Sequence, residues 1–413
     1  MSASAPGIIS FPDALAIVLR EAATLFASEA EPVGLLASSG RILAEPITAD
    51  RDQPPFDRST RDGFAVRAAE WYAGKKLRVI GQVRAGEKWA GPDIADGEAV
   101  EIMTGAPLPA GADAVAMVEH AEQDGNEVSA VSGRALRVRE NIVPRGSEAR
   151  AGQTLLQPGI SIGAGEIALA SACGSAEVRV YKRPRVNILA TGDELVEIAE
   201  TPEPHQIRNS NSYALAALVS DCGGEAQRLP IADDTREDLR ARIEESLSTD
   251  LLLLSGGVSA GKYDLVEDVL AEFGAEFFFT GVKMQPGKPA VFGRIPRGSG
   301  WLYFFGLPGN PVSTEVAFRC FAATFLRALS GASADSLSPN FAQATLAEDI
   351  SAKPGLTRLL PARLAQNFSK PEVRLVPWQG SGDLAANARA NCYAVLPNGC
   401  DLHAGDVITV LLR

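Results

Sequence analysis

Cysteine and histidine are scarce in this chain. Its 413 residues include five cysteines, Cys173, Cys222, Cys320, Cys392 and Cys400, and no C-x-x-C pair. An odd, scattered set argues against a disulfide framework or a zinc site. The three histidines, His120, His205 and His403, lie far apart in sequence and give little support to a His-based metal centre or a Ser-His-Asp triad. Positive charge is also short, with 39 Lys and Arg against 51 Asp and Glu and a net charge of −12. Such a chain lacks the electrostatic footprint for a phosphate backbone, so no nucleic-acid partner is expected. No apolar run approaches the ~20 residues that span a bilayer. The opening MSASAPGIISFPDALAIVLREAA lacks the basic n-region of a signal peptide. The expectations are no membrane partner and a cytoplasmic protein whose chemistry falls to carboxylates, lysines and backbone amides.

What is present is ordinary soluble composition, 46% hydrophobic and 22% charged, over a length that suits several domains. Residues 11–28 suggest an amphipathic helix, with Leu15 and Leu19 at helical spacing. Residues 45–183 are dense in Gly, Pro and short β-like runs and predict an all-β insertion. Residues 184–330 change texture. VNILA, RLPIA, LLLLS and AEFFFTGV read as strands, alternating with SNSYALAALVSDCGG, DDTREDLRARIEESL and YDLVEDVLAEFG as helices. Ser210 or Asn211 suits the cap of the first helix. That alternation predicts a parallel α/β sheet covered on both faces. Residues 335–413 return to short strands and predict a small C-terminal β domain.

Ligands of open parallel sheets sit beyond the carboxyl ends of the strands. Four strand ends therefore matter. They are followed by Thr191-Gly-Asp-Glu194, by Asp233-Asp234, by Ser255–Asp264 (SGGVSAGKYD) and by Leu307–Pro311 (LPGNP). LLLL predicts a fully buried central strand, and Gly256 and Gly257 let the backbone turn tightly and cradle an oxyanion. The P-loop spacing G-x-x-x-x-G-K-[ST] is absent. Asp264 either caps the next helix or holds a metal or water. Asn310 and Pro311 suit a helix start whose amides attract anions, or a well-made start and nothing more. Adjacent Asp193 and Glu194 point apart, so they form no side-by-side acid/base pair, and Asp234 and Thr235 are both good caps. Lys283 and Lys288 flank a turn and can meet phosphate or molybdate as point charges. In the insertion, Asp57, Ser59, Thr60 and Asp62 surround one loop, Thr104 and Gly105 end a strand, and Arg145, Gly146 and Glu148 form a third turn. Ordinary turn chemistry explains all three equally well.

Six motifs in order, FDRSTRDGFAV, IMTGAPLPAGADAV, RPRVNILATGDEL, SGGVSAGKYD, PGKP and GLPGNPVS, resemble the molybdopterin molybdenumtransferase family, to which the E domain of gephyrin also belongs. The likeness spans residues 10–330 strongly and 331–413 loosely. It implies an elongated homodimer of four-domain chains: 9–29 with 184–331 as the α/β molybdopterin-binding domain, 30–48 with 151–183 as the connecting and dimerisation domain, 49–150 as the β-rich insertion and 332–413 as the C-terminal β domain. It implies insertion of molybdate into adenylylated molybdopterin with Mg²⁺ and release of AMP, in a cleft between the α/β domain of one subunit and the insertion of the other. Pathway partners would be a molybdopterin adenylyltransferase and apo-molybdoenzymes.

Carried over by motif, Glu194, Asp234 and Asp264 would be acidic catalytic residues and the cation's ligands, with Thr104 and Asp62 contributed by the insertion. Ser255, Gly256, Gly257, Ser259 and Gly261 would line the nucleotide phosphates. Pro308, Gly309, Asn310 and Pro311 would shape the LPGNP wall, and Lys288, Arg145 and Ser381 would meet molybdate.

Three departures reduce positive charge or shift register. Gln285 stands where family members commonly carry Lys. Glu148 follows an inserted-looking Ser147 where Asp is usual. Leu356 and Pro361 occupy arginine positions of a Gly-Arg-x-x-Phe-x-Arg pattern, with Arg358 or Arg363 able to compensate only through a register change. The alternatives are a paralogue preferring tungstate, a molybdopterin adenylyltransferase, and a non-catalytic molybdopterin-binding or scaffold protein. The long insertion and the C-terminal domain favour the transferase over the adenylyltransferase.

Overall fold

A computed structural model describes residues 7–25, 27, 29–131, 134–256, 265–351, 353–365 and 370–413. The candidate residues Gly257, Ser259, Gly261 and Asp264 lie outside the described residues.

The LLLL run is the middle of a six-stranded sheet. Strands Glu225–Arg228, Arg185–Ala190, Leu251–Ser255 and Gly300–Leu307 are parallel neighbours in that order. Leu251 and Leu253 face one apolar layer, while Leu252 and Leu254 face another. The first layer holds helices Phe11–Ala22, Ser210–Asp221 and the run from Pro311 to Leu329; the second holds Arg236–Ser246 and Leu265–Glu272. Period-two alternation thus becomes a strand with no solvent face, and all four leucines are fully buried. Each such side chain contributes roughly 1.5–3 kcal/mol by leaving water.

The parallel core is as expected, but one edge is antiparallel. Strand Val291–Arg297 returns through Gly298 and Ser299 directly into Gly300–Leu307. A two-residue link can join only antiparallel neighbours. Glu276–Phe279 adds antiparallel beyond it. Three boundaries also differ from expectation. The first helix stops at Ala22, after which Thr24 turns its hydroxyl back to the Glu21 carbonyl at 2.7 Å. The strand expected at RLPIA forms earlier, at Glu225–Arg228; of the expected run, Arg228 ends that strand and Ala232 keeps an isolated bridge, to Thr191. The cap of the Ser210 helix is Asn209, whose side chain accepts from the Ser212 amide at 3.2 Å.

The stretch 63–130 forms a second six-stranded sheet, from Gly63–Val66 to Glu127–Ala130. Beside it, Ala30–Gly34 pairs with Glu177–Tyr181, and Ile47–Thr48 with Thr154–Leu156. The all-β expectation for 45–183 misses helix Ala164–Ala172. AGEIALASA is small and apolar nearly throughout, so no stripe marks it, although Glu166 accepts from the Gly163 amide at 2.8 Å as a helix start should.

In the C-terminal part, strands Phe341–Leu346, Thr357–Ala365, Glu372–Leu375, Cys392–Leu396 and Val407–Leu412 close into a ring. Strand Val282–Gln285 pairs with Thr357–Arg358 and ties this barrel to the α/β domain. A buried ionic knot makes the second tie. Glu315 accepts from Arg319 Nε, from Arg413 Nε and Nη2, all at 2.8 Å, and from Asn387 Nδ2 at 2.7 Å. Tyr393 in turn donates to Asn387 Oδ1 at 2.8 Å. Burial pushes the Glu315 carboxyl upward, but Arg413 and Arg319 outweigh it and hold the group below the ordinary glutamate range.

Candidate active site

The carboxyl ends of the central strands meet as expected. Thr191, buried at the end of Arg185–Ala190, donates its backbone N–H to the Ser255 carbonyl at 3.2 Å and its hydroxyl to Asp234 Oδ1. The Asp234 amide donates to Asp193 Oδ1 at 3.3 Å. Two acidic loops from different strands are therefore stitched together through one threonine. Thr235, not Asp234, caps the following helix, accepting from the Asp238 amide at 3.4 Å. That frees Asp234 from a structural duty that its sequence position permits. Glu194 folds back over Gly192, where a Cβ would stand 2.6 Å from Glu194 Oε2.

Gly256 is required by its surroundings. Its φ is +92°, and a Cβ there would approach the Thr191 carbonyl oxygen to 2.4 Å. Its amide donates to the Leu307 carbonyl at 3.3 Å, and it lies against Gly309. Asn211 completes the seam. Its Nδ2 donates to Ser255 Oγ at 3.0 Å and to the Gly309 carbonyl at 2.8 Å. Asn211 is a site residue that sequence reasoning gives only a capping role. The one available signal is a second Asn two positions after Asn209, in excess of what a cap needs.

Pro308 is buried, and Asn310 and Pro311 begin the helix as expected, although Asn310 makes no side-chain capping bond. The Val312 amide is already taken by the Ser381 carbonyl at 3.0 Å. Pro311 has no N–H, so this helix start offers fewer free donors than the sequence suggests. The same bond brings Ser381 of the C-terminal part to the LPGNP wall. Lys288 lies in the turn after Gln285, its carbonyl bonded to the Val282 amide at 2.8 Å and its ammonium exposed.

The insertion residues form their own cluster. Asp62 Oδ1 accepts from the Thr104 amide at 2.6 Å and from its hydroxyl at 2.8 Å. Those bonds, the amide's first, hold the Asp62 carboxyl below the ordinary range. Arg145 donates from Nε to Asp52 at 2.8 Å and from its backbone N–H to Asp57 at 2.7 Å. Its guanidinium is thus engaged with a carboxylate, and Glu148 pairs with Arg58 at 3.0 Å. Every described hydrogen bond of Asp62, Thr104 and Arg145 stays within the insertion.

The missing cation at Gln285 has neighbours. Lys353 donates to Gln285 Oε1 at 3.3 Å, and Arg358 is its register partner on the adjoining strand. Arg358 donates to the Ser351 carbonyl, while its Nε is buried without a partner. Leu356 is half-buried, Pro361 is buried in the strand, and Arg363 is exposed opposite Arg374.

The donor set suits a hard cation. Asp193, Glu194 and Asp234 are exposed carboxylates, and none has an ion pair with a described residue. Oxygen donors of this kind match Mg²⁺, which keeps several waters and takes one or two carboxylates. No group of three or more potential ligands of the His/Cys/Asp/Glu type occurs among the described residues, so any fuller set must draw on Asp264, on waters or on substrate oxygens.

A parallel sheet with acids, glycine seams and a helix start at one rim, carrying an inserted β sheet and a terminal barrel, belongs to the multidomain α/β proteins, a class whose ligand sites lie beyond the strand ends. Three family models match in order: MoeA N-terminal region (domain I and II) over 9–174, probable molybdopterin binding domain over 187–328, and MoeA C-terminal region (domain IV) over 343–412. Among curated relatives, a molybdopterin molybdenumtransferase of Synechocystis is 35% identical over 365 residues, 87% of this chain and 89% of that one. Its counterpart in Staphylococcus epidermidis is 33% identical over 389 residues, 92% of this chain and 90% of that one. The chain belongs to the molybdopterin molybdenumtransferase family. Solved structures of a molybdopterin biosynthesis MoeA protein from Pyrococcus horikoshii superpose with TM-scores of 0.73 at 31% identity and 0.79 at 25% identity. Both cover 98% of this chain, with 99% and 100% of those chains matched.

Proposed function

We propose that the protein inserts molybdate into the dithiolene of adenylylated molybdopterin, releasing AMP and yielding molybdenum cofactor. The observation that carries this reading is the rim itself. Thr191 joins the Asp234 and Thr191–Glu194 loops, and Asn211 joins Ser255 to Gly309, so that acids and close-approach backbone converge where a phosphoanhydride would lie. Glu194 and Asp234, with Asp264 from outside the described residues, would hold Mg²⁺. Bound there, the cation would neutralise charge as the phosphoanhydride breaks. Ser255 and Gly256 would lie along the phosphates, and the Asn310–Pro311 wall would orient the nucleotide. Asp62 and Thr104 would reach this rim from a second subunit, which motivates a homodimer. Lys288, Lys353 and Arg358 around Gln285 would supply the positive field for molybdate, with Ser381 nearby. A cytoplasmic setting, with an adenylyltransferase upstream and apo-molybdoenzymes downstream, fits this reading.

The test is turnover with adenylylated molybdopterin, Mg²⁺ and molybdate, following AMP and reconstitution of an apo-molybdoenzyme. Molybdate-dependent AMP release, lost in Glu194→Ala and Asp264→Ala, is the expected result. Turnover with tungstate but not molybdate would move the reading to a paralogue with altered metal preference. Substrate binding without turnover would move it to a binding role.

A further inference from the structure

The end of the α/β domain opposite the rim carries a cavity of about 370 Å³. Helix Ser210–Asp221 and the helical run to Leu329 both start at the rim and end here, and Lys182 and Arg183 lie just before strand Arg185–Ala190. The connecting segment contributes Gly40–Ile42, and the last barrel strand contributes Leu411–Arg413.

Its charge runs against the rest of the chain. Arg41, Lys182, Arg183, Arg319, Arg327 and Arg413 line it; Asp221 is the one lining acidic side chain among the described residues, and Arg413 adds its main-chain carboxylate. The ion-pair partners of these cations, Glu29, Glu31 and Glu315, bring the acidic side chains to four against six. Helix carboxyl ends attract cations, which explains Arg327 in a last turn but not Arg183 or Arg41, which sit on no helix. Arg183 makes no hydrogen bond or short ion pair with a described residue. Arg327 spends Nη2 on the carbonyls of Leu337 and Ser338, both at 3.0 Å, and leaves Nε buried and unpartnered. Burial depresses the half-buried Arg327 guanidinium, which has given up part of its water without meeting a carboxylate. Ile42, Leu218 and Phe318 supply an apolar wall beside the cations. A bare ion needs far less room, whereas this volume falls in the range of small-molecule pockets.

We propose that this cavity is a second anion site, distinct from the rim, that takes a phosphate monoester of about mononucleotide size. The phosphate would lie between Arg183 and Arg327, with the organic part against the apolar wall. Because the walls come from three parts of the chain, an occupant would fasten the connecting segment to both the α/β domain and the barrel.

Hydrogen exchange of the full-length protein, read by mass spectrometry with AMP, inorganic phosphate or adenosine added, tests this independently of the proposed reaction. Expected with AMP is slowed exchange over residues 40–43, 181–185 and 327–332. Restriction of the pattern to AMP supports the monoester; the same pattern with inorganic phosphate at equal strength would overturn the mononucleotide-sized occupant and leave only a free oxyanion. Arg183→Glu should weaken AMP protection of the cavity by at least about tenfold while leaving turnover unchanged. Arg327→Met should weaken it likewise and guards against a purely local effect at Arg183. Protection confined to residues 191–194, 255–256 and 308–311 would overturn the inference and leave the rim assignment standing. Equal protection of the cavity by adenosine would overturn it too, because the cations would then have no part in binding.

Discussion

The rim of the α/β domain and its junction with the barrel treat charge in opposite ways. At the rim, Asp193, Glu194 and Asp234 stand exposed; Asp234 accepts from a hydroxyl and Asp193 from an amide, and none pairs with a cation among the described residues. At the junction with the barrel, Glu315 is 9% exposed and saturated by two arginines and an asparagine. The lesson is that an unneutralised charge costs little at a solvated rim and much in a packed junction. The rim can therefore be held ready for a ligand while the junction holds domains together.

Breaking the barrel junction should have the largest effect. Glu315→Ala strands Arg319 and Arg413 and should cost about 3–5 kcal/mol, read by urea unfolding. The carboxyl of Glu315 is held below its ordinary value, so its contribution is fully present above the ordinary glutamate pKa and fades as pH falls through the lowered one. Unfolding midpoints of the wild type should fall on that acid side; Glu315→Gln should flatten this part of the profile, and an unchanged slope would refute the assignment.

Breaking the rim should leave stability alone and remove chemistry. Asp234→Asn is expected to lower turnover by about two orders of magnitude, with an unfolding shift within about 0.5 kcal/mol. A large loss of stability instead would mean that Asp234 is a structural acid like Glu315. A smaller effect sharpens the contrast inside the rim. Gly256→Ala meets both a positive φ and the Thr191 carbonyl and should cost about 1–3 kcal/mol. Gly309→Ala, whose Cβ would find ordinary contact at 3.7 Å, should be nearly neutral. Smallest of all, Thr104→Val removes one of the two bonds to Asp62 and should raise that carboxyl partway toward its usual value, followed by NMR titration. No shift would mean that the amide alone sets it.

Local signals carried much of this arrangement into the sequence. LLLL ahead of two glycines marks a strand buried on both faces, and Asn310-Pro311 marks a helix start; both are present. Helix Ala164–Ala172 escaped because it is small-residue and nearly uniform, with no polar face to set a period. The strand at Glu225–Arg228 escaped because EAQR has no apolar run, being an edge strand stabilised by its neighbour rather than by its own residues. Asn211 looked like a cap because its neighbours do cap. Its partners, Ser255 and Gly309, are 44 and 98 positions away. The Glu315–Arg413 pair spans 98 positions as well, and no spacing rule reaches that far.

The contact between Gly256 and Gly309 has a consequence for how such a chain can change. Surface loops are ordinarily where sequences lengthen, shorten and drift, because little depends on where their backbone runs. Here two loops from neighbouring strands share one backbone surface, pinned by a single asparagine. An added residue beside Gly256 or Gly309 would have to displace the other. These turns should therefore keep their length while the rest of the surface is free to vary, and a graft of new specificity onto this rim must replace both loops together.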